Sequence, residues 1–305
     1  MATPIQERLV VAVASSAIFD LSESDKVYRD QGTEEYRKFQ WENRNKPLAS
    51  GVAMPFVRRL LSLNDRFVDD QPVEVVLISK NSPETGLRVY KAITEHRLPI
   101  TRAGFTNGQS PWRWLNGFGA SLFLSAEAQD VAQAINAGHA AGTVLSSGCV
   151  DDPNDKELRI AFDFDGVLVD DEAERIYKSG GLEAFHAFER QRATQPLQPG
   201  PLGDFFKRLG HLQKRLRSLP PSDGPTLRLA LITARNAAAI ERCIFTLKEW
   251  DVELDDTLFL GGMEKARFLS ELRPHIFFDD QPIHLESAKS IAPAVHIPFG
   301  IANVP

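Results

Sequence analysis

The segment RIAFDFDGVLVDD at residues 159–171 decides how this chain of 305 residues is interpreted. An apolar run leads directly into two aspartates one residue apart, Asp163 and Asp165, and Gly166 follows them. Two like charges at the end of a buried strand resist ionising together, and desolvating them costs free energy unless a cation joins them. The pair therefore predicts a divalent cation with oxygen ligands, usually Mg²⁺, with a phosphate on its far side.

This strand is one of a series. Strand-like apolar runs occur at Leu9–Ala14, Val73–Ile78, Ser121–Leu124, Leu158–Phe162, Leu227–Ile232 and Pro274–Phe278. Most of them are followed by helix-like periodicity, as at Glu84–Glu95. Alternating strands and helices indicate an α/β fold, in which helices cover both faces of a parallel sheet.

A polar stretch near the middle of the chain predicts two domains. Residues Ser146–Lys156 contain only two apolar residues, Cys149 and Val150, and are interpreted as a linker between residues 1–150 and 151–305. Within the second unit, residues at about 170–225 are long for a strand connection and carry several aromatic residues. They predict a helical insertion, which either caps the site or forms a small helical core.

The two predicted units resemble each other. Adding 149 to a position in Leu9–Asn64 gives its partner in Leu158–Gln213 without a gap, and 14 of these 56 pairs are identical. Average composition predicts about one identity in fifteen. An offset of 154 continues the match downstream, for example from Arg88 to Arg242. We interpret this as an internal duplication of one α/β unit; the alternative is two convergent strand–helix patterns.

The duplicated pattern separates chemistry from scaffold. When the two units are aligned, the acids and the lysine of the second unit correspond to neutral residues in the first. The pairs are Asp163/Ala14, Asp165/Ser16, Lys265/Pro111, Asp279/Ser125 and Asp280/Ala126. A hydroxyl is kept in both units, as Thr233 and Ser79. The first unit is therefore predicted to be degenerate, without catalytic acids, and the second to be catalytic.

Polar residues of the second unit fall where apolar strands end. Thr233 follows one strand, and Asp279 and Asp280 follow another. Ligands of parallel α/β sheets bind at the carboxyl ends of the strands, so these residues are expected to join Asp163 at one edge. Lys265 follows Gly261-Gly262 and could meet a phosphate there as a point charge.

This ordered set resembles the haloacid dehalogenase superfamily of phosphohydrolases. The four motifs of that superfamily stand here as Asp163-Phe164-Asp165-Gly166-Val167, Leu231-Ile232-Thr233, Lys265 and Asp279-Asp280. The resemblance implies two Rossmann-like (haloacid dehalogenase-like) parallel-sheet units with a helical cap insertion.

Longer segments are similar to the cytosolic type I 5′-nucleotidase family over nearly the full length. They are Val13–Asp20, Ile78–Val89, Ile100–Gly108, Phe118–Ser125 and Asp163–Glu174. Where the family motif reads Asp-Gly-Asp-Ala-Val, this chain has Asp-Phe-Asp-Gly-Val. The resemblance implies a Mg²⁺-dependent 5′-nucleotidase that hydrolyses nucleoside 5′-monophosphates to nucleoside and phosphate.

The resemblance also implies roles for the site residues. Asp163 is the nucleophile that forms an aspartyl-phosphate, and Asp165 is the general acid and base. Thr233 and Lys265 hold the phosphoryl oxygens. Mg²⁺ is expected on Asp163, the backbone carbonyl of Asp165, and Asp279, with Asp280 as a ligand or in support. Which of Asp279 and Asp280 is the primary ligand stays open.

Polar residues of the first unit have three interpretations. Lys80, Asn81, Ser82 and Arg102 are assigned to loops that correspond to phosphate-binding positions of the second unit. They could reach across to the nucleoside, form a separate nucleotide site, or belong to a purely structural duplicate.

Bulk properties exclude several classes of protein. The net charge of −6 argues against nucleic-acid binding, and two cysteines are too few for a disulfide framework or a zinc site. No apolar run reaches the roughly 18 residues of a membrane span, so a cytoplasmic protein with a small-molecule partner is predicted. Homo-oligomer formation stays open. The alternatives to a 5′-nucleotidase are a phosphatase of another small phosphate ester and a non-catalytic nucleotide-binding sensor.

Overall fold

In a computed structural model, which describes residue 4 and residues 7–236 and 239–303, the chain has a mixed α/β fold around a central, mostly parallel sheet. The strands are β1 (Leu9–Val13), β2 (Val73–Ser79), β3 (Ala103–Phe105), β4 (Leu122–Ser125), β5 (Ala141–Val144), β6 (Glu157–Phe162), β7 (Thr226–Thr233), β8 (Asp256–Phe259), β9 (Ile276–Asp279) and β10 (Ala294–His296). They form one sheet in the order β3-β2-β1-β4-β5-β10-β9-β6-β7-β8.

Helices follow most strands. They are α1 (Ser15–Ile18), α2 (Ser22–Glu42), α3 (Met54–Ser62), α4 (Pro83–Glu95), α5 (Leu115–Phe118), α6 (Ala128–Asn136), α7 (Glu172–Gln191), α8 (Gly203–Arg217), α9 (Ile240–Glu249), α10 (Ala266–Leu272) and α11 (Pro282–Ala288). Short 3₁₀ segments cover Leu63–Arg66, Pro111–Trp114 and Ile301–Asn303. None of the helices in the described ranges combines the length and the hydrophobicity of a transmembrane segment.

The two halves of the sheet meet at one antiparallel pair. Val295 of β10 pairs with Val144 of β5 in antiparallel register, whereas the other neighbouring strands pair in parallel. The carboxyl ends of β1, β2 and β4 therefore lie at one edge, here called the first rim. Those of β6, β7 and β9 lie at the opposite edge, the second rim.

The predicted strands are confirmed, and the missed ones are short. All six predicted apolar runs correspond to β1, β2, β4, β6, β7 and β9, with ends that differ by one or two residues. The runs that escaped prediction, β3, β5, β8 and β10, have three or four residues each. The predicted linker does not separate two sheets, because β5 and β10 join the halves edge to edge.

The halves share strand order and a local backbone feature. Counted from its own first strand, each half has the order 3-2-1-4-5. The long helices α2 and α7 are both interrupted by a glycine with positive φ: Gly32 has φ 82° and ψ −173°, and Gly181 has φ 73° and ψ −172°. Glycine populates this conformation without the Cβ penalty of other residues. These two glycines are 149 residues apart, the offset seen in the sequence.

The helical insertion predicted at about 170–225 divides into two parts with different surroundings. Its second helix, α8, buries Phe205 and Phe206 against the sheet, where both rings contact Phe162 at centroid distances of 6.5 and 5.2 Å. That helix is a core element, which fits the alternative of a small helical core for α8 and not that of a cap. Within the insertion, α7 reaches Arg235 at the second rim through Glu189.

The predicted linker Ser146–Lys156 is held in place by the first half. Arg59 on α3 is buried and forms an ion pair of 2.8 Å with Asp151. Its guanidinium also donates to the backbone carbonyls of Asp152 and Asp155, at 2.6 and 2.9 Å. A buried arginine with three such partners fixes the connection between the halves against the core.

Candidate active site

A buried lysine joins two carboxylates at the second rim. Asp163 directly follows β6, and its backbone N–H donates to the Phe278 carbonyl of the neighbouring strand at 2.8 Å. Lys265, at the start of α10, places its Nζ 2.9 Å from Asp163 Oδ1 and 2.7 Å from Asp279 Oδ2. The lysine is 1% exposed. The structure thus brings together three of the residues that the sequence predicted for the site.

The electrostatics of this cluster follow from burial and pairing. Burial works to lower the pKa of Lys265, but the carboxylates of Asp163 and Asp279 outweigh it and raise that pKa. Burial raises the pKa of Asp163 to about 6, against the opposing effect of Lys265. For Asp279, Lys265 and His284 outweigh burial, and its pKa is lowered. The lysine therefore opposes the effect of burial on both carboxylates.

Asp280 is the third buried carboxylate at the second rim. It is fully buried, and neither of its oxygens has a hydrogen-bond partner among the residues that the structure describes. Burial, followed by the charges of Asp163 and Asp279, raises its pKa to about 9. Gly166, at φ +73°, lies so close that a Cβ there would come 2.5 Å from Asp280 Oδ2. An unpaired buried carboxylate is costly unless a cation shares it, so this side chain fits a metal site.

Asp279 is already occupied by other partners. Besides Lys265, its oxygens accept from the backbone N–H of Gln281 at 2.8 Å and lie 3.2 and 3.3 Å from His284 Nδ1. Asp163, Asp279 and His284 form a group that could also hold a metal ion. Sequence reasoning missed His284; the signal was its place in the first turn of α11, five residues after Asp279.

Asp165 is held by an arginine. Arg235, two residues after β7, contacts it in a bidentate pair with distances of 2.8 and 2.7 Å. The Arg235 backbone N–H donates to Thr233 Oγ1 at 3.2 Å, which places the predicted hydroxyl at the same turn. A bidentate arginine fixes the orientation of the carboxylate as well as its position.

The arginine belongs to a chain of buried charges that sequence reasoning missed. Glu189 of α7 pairs with Arg235 on one side and with Arg242 of α9 on the other, the latter at 2.9 Å. Arg242 also pairs with Glu172 at 3.1 Å. Glu189 and both arginines are buried. This chain of buried charges connects α7 to the second rim and to Asp165.

Neutralising the middle of this chain is expected to destabilise the protein. Glu189→Gln leaves Arg235 and Arg242 without their shared carboxylate, and breaking a buried pair costs about 3–5 kcal/mol. Urea unfolding followed by circular dichroism measures the free energy of unfolding. Glu172→Gln is the control: its side chain is 34% exposed, so the loss is expected to be at most about 1 kcal/mol. Equal losses would contradict the structural role of Glu189.

The substrate residues predicted in the first half lie elsewhere. Lys80, Asn81 and Ser82 follow β2 and therefore lie at the first rim, at the opposite edge of the sheet from Asp163. The interpretation that they reach across to a nucleoside at the second rim is wrong within one chain, because the antiparallel junction reverses the strand direction.

Arg102 makes its contacts away from both rims. It precedes β3 and forms an ion pair with Glu74 at the start of β2. Its guanidinium also lies 5.7 Å from the ring of Phe118. Its backbone lies beside the middle of β2 and its side chain contacts a residue near the start of that strand, so its predicted substrate role stays a prediction.

Comparisons with known proteins identify the family of this chain. A family model described as 5′-nucleotidase matches residues 1–304. Human cytosolic 5′-nucleotidase 1B is 35% identical over 289 residues, which cover 93% of this chain and 47% of the human protein. The chain thus spans about half the length of that curated relative. No solved structure shows a significant match to this chain. The chain, matched over almost its whole length, belongs to the 5′-nucleotidase family.

Proposed function

We propose that this protein is a Mg²⁺-dependent 5′-nucleotidase that hydrolyses nucleoside 5′-monophosphates to nucleoside and phosphate. The observation that carries the proposal is the buried cluster of Asp163, Lys265, Asp279 and Asp280 at the second rim, in a chain of the 5′-nucleotidase family. Phosphoryl transfer through an enzyme-bound phosphate ester requires a carboxylate nucleophile, a cation and a carboxylate that can bind a metal ion.

Three groups are suited to hold the metal. Asp163 and Asp280 offer carboxylate oxygens, and the backbone carbonyl of Asp165 offers a third oxygen. Asp280 is preferred over Asp279 as the second carboxylate, because its oxygens have no hydrogen-bond partner whereas Asp279 is held by Lys265. When bound, Mg²⁺ offsets the charge of the phosphoryl oxygens.

The residues of the chain perform two displacements. In the first, an Asp163 carboxylate oxygen forms a bond to phosphorus while the bond from phosphorus to the ribose 5′-oxygen breaks. Asp165, which must first be protonated and give up one of its two contacts with Arg235, passes its proton to the departing oxygen, and the nucleoside leaves. In the second, Asp165 takes a proton from water, whose oxygen attacks the phosphorus. The bond from Asp163 to phosphorus breaks, and phosphate leaves.

The surrounding residues hold the reacting groups in place. Lys265 offsets the charge of Asp163 and of the phosphoryl group, and Thr233 lies at the same rim to contact a phosphoryl oxygen. Arg235 orients Asp165 through its bidentate contact. Because α7 is tied to Arg235 through Glu189, this helix is suited to cover the site and limit the access of water.

The proposal includes the origin of the two halves. A duplication produced a degenerate half, residues 1–150, and a catalytic half, residues 151–305. The repeated strand order and the equivalent glycine interruptions of α2 and α7 support it. A cytoplasmic location is part of the same proposal and is supported by the name of the cytosolic human relative.

A substrate panel tests the proposed function. Phosphate release is measured with Mg²⁺ for purine and pyrimidine 5′-monophosphates, their 3′-monophosphates, and sugar phosphates. We expect kcat/KM to be highest for 5′-monophosphates. Preference for a sugar phosphate would identify a phosphatase of another ester. Nucleotide binding without turnover of any ester would identify a sensor.

A further inference from the structure

A cavity at the first rim occupies the position that corresponds to the active site. It has a volume of about 500 Å³ and is lined by residues that follow β1, β2 and β4, among them Ser16, Asn81 and Ser125. Cavities of roughly 300–1,000 Å³ are typical of sites for small ligands. A half without catalytic acids has thus kept an open pocket, where large apolar side chains could have filled the space.

The floor of this cavity is built from neutral hydrogen-bonding groups. Ser15 and Ser79 are buried and share a hydrogen bond of 2.9 Å. The Asn81 side-chain amide donates to both hydroxyls, at 3.3 and 3.1 Å. Tyr36 donates from its hydroxyl to Asn81 Oδ1 at 2.8 Å. Hydroxyl and amide groups of this kind match the hydroxyls of a sugar.

Neutral side chains stand beside the cavity where charged ones stand at the second rim. The corresponding pairs are Asp165/Ser16, Arg235/Asn81 and Glu189/Gln40. Gln40 lies behind Tyr36: it donates to the Tyr36 hydroxyl at 3.1 Å and accepts from Arg88, the counterpart of Arg242, at 3.4 Å. Tyr36 thus connects Asn81 to Gln40 through hydrogen bonds between neutral groups. Chance loss of function would leave buried polar groups without partners, which is costly.

The charges around the cavity disfavour a phosphate. Both cations that line it are already paired: Lys80 with Asp130 at 2.8 Å, and Arg37 with Glu34 at 3.7 Å. Two further carboxylates, Asp25 and Glu127, also line the cavity. Burial, followed by the charge of Glu127, raises the pKa of Asp25. A dianionic phosphate would be repelled, whereas a neutral ligand would not.

An aromatic ring stands at the edge of the cavity. Tyr28 lines it, is 53% exposed, and contacts Tyr36 edge to face at a centroid distance of 5.7 Å. Its position beside the hydroxyl-rich floor offers a face on which a planar base can stack.

We propose that the first-rim cavity is a second ligand site, which binds a neutral nucleoside with its sugar on the Ser15, Ser79 and Asn81 floor and its base against Tyr28. The site binds without chemistry and is separate from the proposed hydrolysis. Its ligand class differs from the substrate by the absence of the phosphate, which the second rim is built to hold.

Calorimetric titration with adenosine, guanosine, cytidine and uridine tests this site. Tyr28→Ala removes the stacking face and is expected to weaken nucleoside binding at least about fivefold, since a base on an aromatic ring contributes about 1–3 kcal/mol. Tyr28→Phe keeps the face and should bind as the unchanged protein does. Tyr177→Ala is the matched control, because Tyr177 is the counterpart of Tyr28 in the second half and is similarly exposed.

Several outcomes would overturn the proposal. The site is wrong if no nucleoside binds at millimolar concentration, or if Tyr177→Ala weakens binding and Tyr28→Ala does not. The neutral ligand class is wrong if inorganic phosphate displaces the nucleoside from the Tyr28-dependent site. Because titration needs no turnover, failure of the hydrolysis assay and failure of this site are distinguishable. Tyr28→Ala is expected to leave phosphate release unchanged.

Discussion

Asp163→Asn is expected to lower kcat for phosphate release from a nucleoside 5′-monophosphate by at least about 10⁴-fold, the scale seen when a hydrolase loses its nucleophile. The amide cannot form the ester to phosphorus, although it fills the same space beside Lys265. The measurement is single-turnover phosphate release with the preferred monophosphate and saturating Mg²⁺.

An identical change elsewhere controls for the substitution itself. Asp204→Asn alters an exposed aspartate in α8, whose side chain is 83% exposed, and should leave kcat within about twofold, because surface substitutions of this kind have small effects. A thermal melt of Asp163→Asn shows whether the fold is intact. Full activity in a folded Asp163→Asn protein would remove the aspartyl-phosphate mechanism, whatever the substrate.

Asp280→Asn is expected to raise the Mg²⁺ concentration for half-maximal activity at least about tenfold, since even supporting residues of metal sites have effects of about 10–100-fold. The reason is that both Asp280 oxygens are buried without a hydrogen-bond partner and are thus available to a cation. Removal of metal with EDTA should abolish phosphate release in the unchanged protein, and added Mg²⁺ should restore it.

Asp279→Asn provides the contrast for this metal assignment. Asp279 is held by Lys265 and by the backbone N–H of Gln281, so its loss is expected to act first on stability. Leaving Lys265 with a single carboxylate costs about 3–5 kcal/mol in the free energy of unfolding. If Asp279→Asn shifts the Mg²⁺ requirement and Asp280→Asn does not, the metal ligand is Asp279, in the group that it forms with Asp163 and His284.

Much of the fold was predictable because the central strands carry long apolar runs. A strand that is buried on both faces, such as β7, must be apolar over most of its length, and the sequence displays this directly. Strands of three residues, such as β3 and β10, carry too few residues for a pattern. The antiparallel junction of β5 and β10 was not predictable, because periodicity reports which face is buried and not which edges pair.

The site was predictable where chemistry and strand ends coincide. Asp163 and Asp279 end or follow apolar strands. Their order in the chain with Lys265 resembles the order of the haloacid dehalogenase motifs. Arg235 and Glu189 could not be assigned in the same way. An arginine in a turn and a glutamate on a helix are usual surface residues, and only tertiary packing shows that these two are buried against each other.

The first-half residues show the limit of reasoning by analogy between repeats. Lys80 and Asn81 line the cavity at the first rim. Their placement near the nucleoside of the second half was wrong, because it required both rims to face the same way. The hydrogen bonds between β5 and β10 decide whether the carboxyl ends of the strands in the two halves lie at one edge of the sheet or at opposite edges.

The β5–β10 contact has the geometry of a two-fold dimer interface enclosed in one polypeptide. In a true homodimer a single gene encodes both subunits, so each substitution enters both sites at once. Here different residues of one sequence form the two rims. One rim can carry hydroxyls where the other carries carboxylates, and the interface still forms at any protein concentration because the two halves are covalently linked.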